Sequence, residues 1–499
     1  MSKFRDWLKR SADTYLPYLD RFRQGARDAS GTAFNLTARD LERLGSQRTV
    51  FQPSPEMEDR FSRSVIAPDP QERRKIVVGN IPYSWYPTVS EDGSVRIIHP
   101  GTVGRRLFEL SGDEDAARDY LEAVKDIAVT LPNGGLAYYY PRQVKISRLL
   151  GPDLAYSGMT AGDVLAGYVA VLRKHREASR WCNAREAYLA LAFPWEQGGV
   201  NLGNRALLEL PLFRSAPEVV LNGWLHALLF MGDYVQESSD GEAHDFMQNN
   251  LQFLSRTLSH YDDGACRLSR YSDCSPYRVS LAWDAKKEPD FHVFYKSRLD
   301  DLDNVVVRLE FLDNPDGAPS LYDNQLIAPM RRPGFVTATI TASQKYDTVL
   351  VSKSGPFSVT LDPGRHDWMA TTPKPTGKRI KTESTESDGD ELHTVNLSSA
   401  QLGLMGGCAT SFTKFKRQNY YHMQHVVALL YLAETAGCSK EVKDSYISYA
   451  EKWFEYAQRQ DLPEGLSFAE PEDVMAALHR GKAIQHFDSF ATLRKLSGL

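Results

Sequence analysis

Two tyrosines and two histidines crowd into about one and a half helical turns at Tyr420-Tyr421-His422-Met423-Gln424-His425. Tyr421 and His425 are four apart and share a helix face, with His422 beside them. A phenol, ordinarily of pKa about 10, exchanges protons near neutrality only where cations or strong donors stabilise its phenolate. The bland reading stands beside this one: a helix N-terminus whose aromatics pack and whose histidines make ordinary hydrogen bonds.

Three further stretches carry the same kinds of residue. The first runs from Leu131 through Asn133-Gly134-Gly135 and Tyr138-Tyr139-Tyr140 to Tyr156-Ser157-Gly158 and Asp163. Phe193-Pro194-Trp195-Glu196-Gln197-Gly198-Gly199 is the second, leading through Glu209 to Asn222-Gly223-Trp224. Tyr261-Asp262-Asp263-Gly264 is the third, ending in Arg270-Tyr271. Glycine-bearing connections at helix tips are where helix pairs gather a cleft.

The elements that must position these residues are mostly helical. Apolar residues recur at helical spacing after Ser111, near 159–177, 183–193, 217–236 and 242–260, and again from 417, through 440–460 and near 471–482. Between them the period switches: strand-like runs lie at 291–295, 305–311, 334–340, 348–351 and 357–361, and Thr382–Asp390 reads as a polar, mobile loop. Upstream, 75–78 and 94–98 read as paired strands around an aromatic loop at 81–87, and Met1–Arg27 as an amphipathic helix docked on the protein or lying on a membrane surface. The pattern predicts an α+β protein: an (α/α) toroid of antiparallel helix pairs with an inserted all-β, sandwich-like domain. The divisions are 1–104 for an N-terminal helical segment and β-hairpin, 105–285 with 403–499 for the toroid, and 286–402 for the insert. A helix-pair solenoid competes, without any fixed repeat period.

Composition narrows the function. A net charge of -5 with no dominant basic face gives no sign of a nucleic-acid binder, and none is expected. Five scattered cysteines suit a reducing compartment, and neither a signal peptide nor a membrane span is readable, so a cytoplasmic protein is expected. His422 and His425 lack a third ligand, and the Gly-Gly pairs fit no nucleotide motif, so neither metal nor cofactor is expected.

The four stretches, in this order, resemble the C-terminal helical domain of the D-glucuronyl C5-epimerase family over roughly residues 130–272 and 418–435. The resemblance implies inversion of D-glucuronate to L-iduronate in a heparosan-like or other uronate-containing polymer, a homodimer, and no redox cofactor. It implies Tyr271 and Tyr421 as catalytic tyrosines and Glu209 as catalytic glutamate. Leu210 stands where the family has a third tyrosine, and Cys274 where it has an arginine.

The chemistry stands independently of the resemblance. Removing a hydrogen beside a carboxylate places a second negative charge on its oxygens, so cations or donors must neutralise them. Arg142, Lys145, Arg270, Arg278, His422 and His425 are the candidates, with Tyr156, Glu196, Gln197 and Asn222 as further substrate-binding residues. Inversion needs an acid opposite the base, which places Tyr271 and Tyr421 on opposite faces of the sugar and Glu209 as base or tuning group. Three other readings remain open: a uronate lyase using the same carbanion, a glycan-binding homologue without turnover, and a hydrolase pairing Glu196, Glu209 or Asp163.

Overall fold

The computed structural model describes residues 36–46, 50–61, 65–66, 76–78, 81–83, 95–96, 100–140, 154–211, 216–264, 267–287, 290–309, 333–363, 378–381, 383–387, 390–397, 418–458, 467–480 and 486–498. Its helices are α1 (Ala38–Ser46), α2 (Pro55–Phe61), α3 (Gly101–Leu110), α4 (Glu114–Lys125), α5 (Gly158–Lys174), α6 (Ala184–Ala192), α7 (Leu221–Ser238), α8 (Gly241–Tyr261), α9 (Tyr420–Thr435), α10 (Lys440–Ala457), α11 (Pro471–Arg480) and α12 (Phe490–Leu496). With antiparallel sheets of four and five strands, the chain is α+β.

Capping fixes several helix starts. Ser157, Asn183, Asp240, Asn419 and Ser439 each accept a backbone N–H of the first turn, satisfying donors that the helix itself leaves orphaned. α9 is buried from His422 to Ala433 and apolar all round from Val426 on, as suits a central helix. It packs against α7, α10, α11 and α12. α5 is wedged between α3 and α7, and small residues set both approaches. A Cβ on Gly104 would lie 2.0 Å from the Asp163 carbonyl, and one on Gly162 would lie 3.1 Å from the Ala227 Cα.

The four-stranded sheet has the order Phe335–Ser343, Cys274–Trp283, Phe357–Pro363, Lys378–Lys381; the five-stranded sheet has Val305–Arg308, Phe291–Ser297, Tyr346–Ser352, Asp390–Leu397, Glu383–Ser387. Phe291 of the second meets Phe357 of the first with ring centroids 5.1 Å apart. The Tyr295 hydroxyl accepts the Thr341 N–H at 3.2 Å. Alternation turns Phe294, Val306, Val349 and Val351 the other way, onto Leu36 and onto Leu41 of α1.

Three expectations need correction. Residues 76–78 pair with 81–83, and 95–96 with 65–66, so among the described residues the two runs expected to pair with each other do not. The two-residue link between Val78 and Ile81 makes the next run the nearer partner. Glu383–Ser387 is a strand on Asp390–Leu397; it forms the sheet edge, where polar and charged residues discourage pairing with another chain. Cys274–Trp283 is a strand twelve residues before the expected start of the insert, with Val279 and Leu281 buried at period two. Its Pro276 pairs on one side only, where a missing N–H costs least. The segment Met1–Arg27 lies outside the described residues.

Candidate active site

Tyr271 is pinned through its backbone. Its carbonyl accepts the Leu221 N–H at 2.9 Å, Val220 bridges Ser272, and the Asp273 carboxylate accepts the Val219 N–H at 3.0 Å. The segment after strand Leu268–Ser269 is thereby tied to the foot of α7. A buried cation secures the knot. Lys345, from the turn between strands Phe335–Ser343 and Tyr346–Ser352, pairs with Asp273 and donates to the Pro217 carbonyl at 3.1 Å. Both partners are 1% exposed.

Glu209 arrives from the other side. The Gly158 N–H at the head of α5 donates to the Glu209 carbonyl at 3.1 Å, and the Glu209 side chain lies on Gly223 of α7, where a Cβ would come within 3.0 Å of it. Here only a glycine leaves room for the carboxylate. The Tyr271 hydroxyl donates to Glu209 Oε2 at 3.2 Å. Tyr421, in the first turn of α9, completes the group, its ring centroid 5.0 Å from that of Tyr271 at an interplanar angle of 54°. All three side chains keep part of their surface open.

Burial pushes the Glu209 carboxyl up to about 7; the Tyr271 hydrogen bond holds it down and the nearby Glu218 adds to the rise. A carboxyl balanced at neutral pH is suited to both taking and returning a proton.

The tyrosines do not flank an open slot. A sugar ring between two aromatic faces needs about 7–8 Å, twice a van der Waals contact of 3.5–4.0 Å, and these rings already touch. The expectation of opposite faces is not met by this arrangement.

The remaining expected residues scatter. His422 accepts the Ser269 N–H at Nδ1 (2.9 Å) and faces the Trp453 carbonyl through Nε2 (2.8 Å). His425 Nδ1 lies 2.8 Å from Ser269 Oγ. Burial, followed by the neighbouring His422, holds the His425 imidazole well below its ordinary pKa. Both rings are fully buried, so they anchor Ser269 two residues before Tyr271. Arg270 is also buried, its Nη2 2.7 Å from Asp263 Oδ2. The Tyr156 hydroxyl donates to the Ala190 carbonyl at 2.6 Å. Glu196 and Gln197 lie in the 3₁₀ turn Trp195–Gln197, where the Gln197 carbonyl accepts the Phe51 N–H. Asn222, at the foot of α7, is buried with Oδ1 lacking a hydrogen-bond partner. Arg278 lies in strand Cys274–Trp283 opposite Thr339; its side chain, and all of Arg142 and Lys145, fall outside what is described.

Three residues that sequence reasoning did not nominate for the site stand around it. Tyr140 hydrogen-bonds Ser157 and Thr160, and burial followed by the charges of Glu209 and Asp163 pushes its phenol upward. His226 lies on α7, its Nε2 2.9 Å from Asp163 Oδ1. Lys345 is the third. For His226 the signal was Asn222 four residues earlier, a polar pair on one face of the apolar first half of the helix.

Among the described residues no cluster of three or more His, Cys, Asp or Glu is arranged to hold a metal ion, and no helix is long and apolar enough to cross a membrane.

Residues 134–305 match the family described as D-glucuronyl C5-epimerase C-terminus. That span includes Glu209 and Tyr271 and ends before Tyr421. No curated protein sequence matches the chain. Among solved structures, cellobiose 2-epimerase from Bacillus thermoamylovorans B4167 is similar at 11% identity and a TM-score of 0.24, over 46% of this chain and 58% of that one.

Proposed function

We propose, from the match of residues 134–305 to the family described as D-glucuronyl C5-epimerase C-terminus, that this chain is a carbohydrate epimerase that inverts C5 of D-glucuronate within an acidic, heparosan-like or other uronate-containing polysaccharide. The observation that carries the reading is the meeting of Glu209, Tyr271 and Tyr421 from three distant segments, with the Tyr271–Glu209 hydrogen bond at its centre. Glu209 is the base. Its carboxylate takes the C5 proton, and the electron pair moves into the C5–C6 bond to give an enediolate. The Tyr271 and Tyr421 hydroxyls supply donors for the charge that develops on the carboxylate oxygens.

The proposal extends to architecture. The helices form an (α/α) toroid and the two sheets a sandwich that already includes strand Cys274–Trp283, with 1–104 as the N-terminal segment and 403–499 returning to the toroid, and the working unit is a homodimer. Proton NMR of the polymer in deuterated water tests the activity: deuterium enters C5 with wild-type protein, and Tyr271→Phe and Tyr421→Phe each slow its entry. Unchanged incorporation in both variants sinks the assignment.

One observation favours a lyase as the second reading. The contact between the two tyrosine rings leaves the opposite face of the sugar unserved by this trio, and elimination needs no proton there. An ultraviolet-absorbing unsaturated product would select it.

A further inference from the structure

Inversion through a planar intermediate uses two proton carriers, one on each face, and the Glu209 group supplies one. A second titratable pair lies one helical turn along α7 from Gly223, on which Glu209 rests. Asp163 on α5 and His226 on α7 are joined at 2.9 Å, with side chains 2% and 11% exposed. The contact between Gly162 and Ala227 sets them there, because each of those small residues is the immediate chain neighbour of one member of the pair. The Asp163 carboxylate accepts, so the hydrogen sits on His226 Nε2 and the neutral ring carries its lone pair on Nδ1. Among the described residues no hydrogen bond engages Nδ1. Arg105 Nε lies 3.9 Å from Asp163 Oδ2, at the half-exposed rim.

Two observations place this pair beside Glu209. Gly223, on which Glu209 rests, is three residues before His226, so both face one side of α7 about 4.5 Å apart along its axis. Tyr140 lies under the charges of both Glu209 and Asp163. Asn222, with its unpartnered Oδ1, is on that side as well, four residues before His226.

We propose that His226, oriented by Asp163, is the second proton carrier of the epimerisation, serving the face of C5 that Glu209 does not. This rests on the epimerase reading. In the forward direction Glu209 takes the C5 proton, and imidazolium His226 releases its Nδ1 proton to C5 from the other side. The enediolate's electron pair forms the new C–H bond, leaving Glu209 protonated and His226 neutral until solvent resets both. In reverse, neutral His226 takes the proton and protonated Glu209 returns one. Asp163 is a positioning residue: it fixes the ring's tautomer and orientation and supports the imidazolium.

The test uses the full chain, heparosan and its iduronate-containing counterpart in deuterated water, read by NMR for both exchange and inversion. His226→Asn is expected to slow inversion about 100-fold, while deuterium still enters C5 of glucuronate with its configuration retained. Exchange from iduronate stops. His226→Gln, which keeps a donor toward Asp163, shows the same split, and Asp163→Asn lowers inversion in both directions with an unchanged thermal melt. Inversion by His226→Asn within about two-fold of wild type, or exchange and inversion lost in parallel from both epimers, overturns the assignment. Wild-type protein without exchange on any uronate polymer overturns the epimerase reading and this inference with it; wild-type exchange beside an unaffected His226→Asn overturns this inference alone.

Discussion

Replacing Glu209 with glutamine makes the protein more stable above neutral pH, by an amount that the site itself sets. The folded protein binds the Glu209 proton more tightly than the unfolded chain does, at about 7 against 4.5, because burial disfavours the carboxylate. Below about pH 4.5 the group is protonated in both states and folding carries no penalty. As pH rises through the folded value the carboxyl must ionise in a buried place, and stability is lost. Multiplying a rise of about 2.5 units by 1.36 kcal/mol per unit gives on the order of 3 kcal/mol. That is an upper bound, since part of the side chain remains open to solvent. Glutamine keeps a carbonyl oxygen for the Tyr271 hydroxyl and never ionises. Urea unfolding of Glu209→Gln and wild type, followed by tryptophan fluorescence, is expected to show a stability gap that is small near pH 5 and widens to about 2–3 kcal/mol by pH 8. A gap that stays flat across that range would mean that Glu209 titrates as an ordinary surface carboxyl, and its assignment as a base poised near neutrality would go with it.

Gly223→Ala drives a methyl group against the Glu209 side chain at 3.0 Å, so it is expected to cost about 1–3 kcal/mol and to slow C5 exchange more than it weakens polymer binding, as measured by melts and steady-state kinetics. Lys345→Ala removes the cation paired with buried Asp273, with an expected loss of about 3–5 kcal/mol; pairing it with Asp273→Asn restores much of that in urea unfolding. Ser269→Ala unties His422 from His425 and is expected to destabilise the fold by about 1–3 kcal/mol, while the pH profile of exchange keeps its midpoint. A shifted midpoint would mean that the two histidines serve the chemistry directly.

Helical periodicity located α5 to α10 within a few residues, because buried faces recur at fixed spacing whatever their partners. Pairing partners in the sheets were harder to read. Cys274–Trp283 begins with cysteine, serine and proline, and its apolar alternation emerges only from Val279, while Glu383–Ser387 hides behind the polarity of an edge. The three chemical stretches carrying Glu209, Tyr271 and Tyr421 could be nominated since each sits at a glycine-bearing connection or a capped helix tip. Burial reassigns the neighbours. His422, His425 and Arg270 have the residue types of a charge-neutralising set, yet their hydrogen bonds to Ser269, Trp453 and Asp263 use them as struts. For the histidines, nothing in a string of residues distinguishes a strut from a ligand when the partner Ser269 lies 153 and 156 positions away. Lys345 was invisible for the same reason, as a lone lysine in a strand-to-strand turn.

Helix α9 lies against α7 as one of its main neighbours, yet roughly 180 residues of chain separate the end of α7 from its start. At synthesis rates of about 5–20 residues per second, the side of α7 that α9 covers waits on the order of ten seconds or longer before its partner leaves the ribosome. During translation that uncovered leucine-rich surface is a natural substrate for chaperones, and the yield of soluble protein should depend on them far more than on the strength of any single contact in the finished molecule.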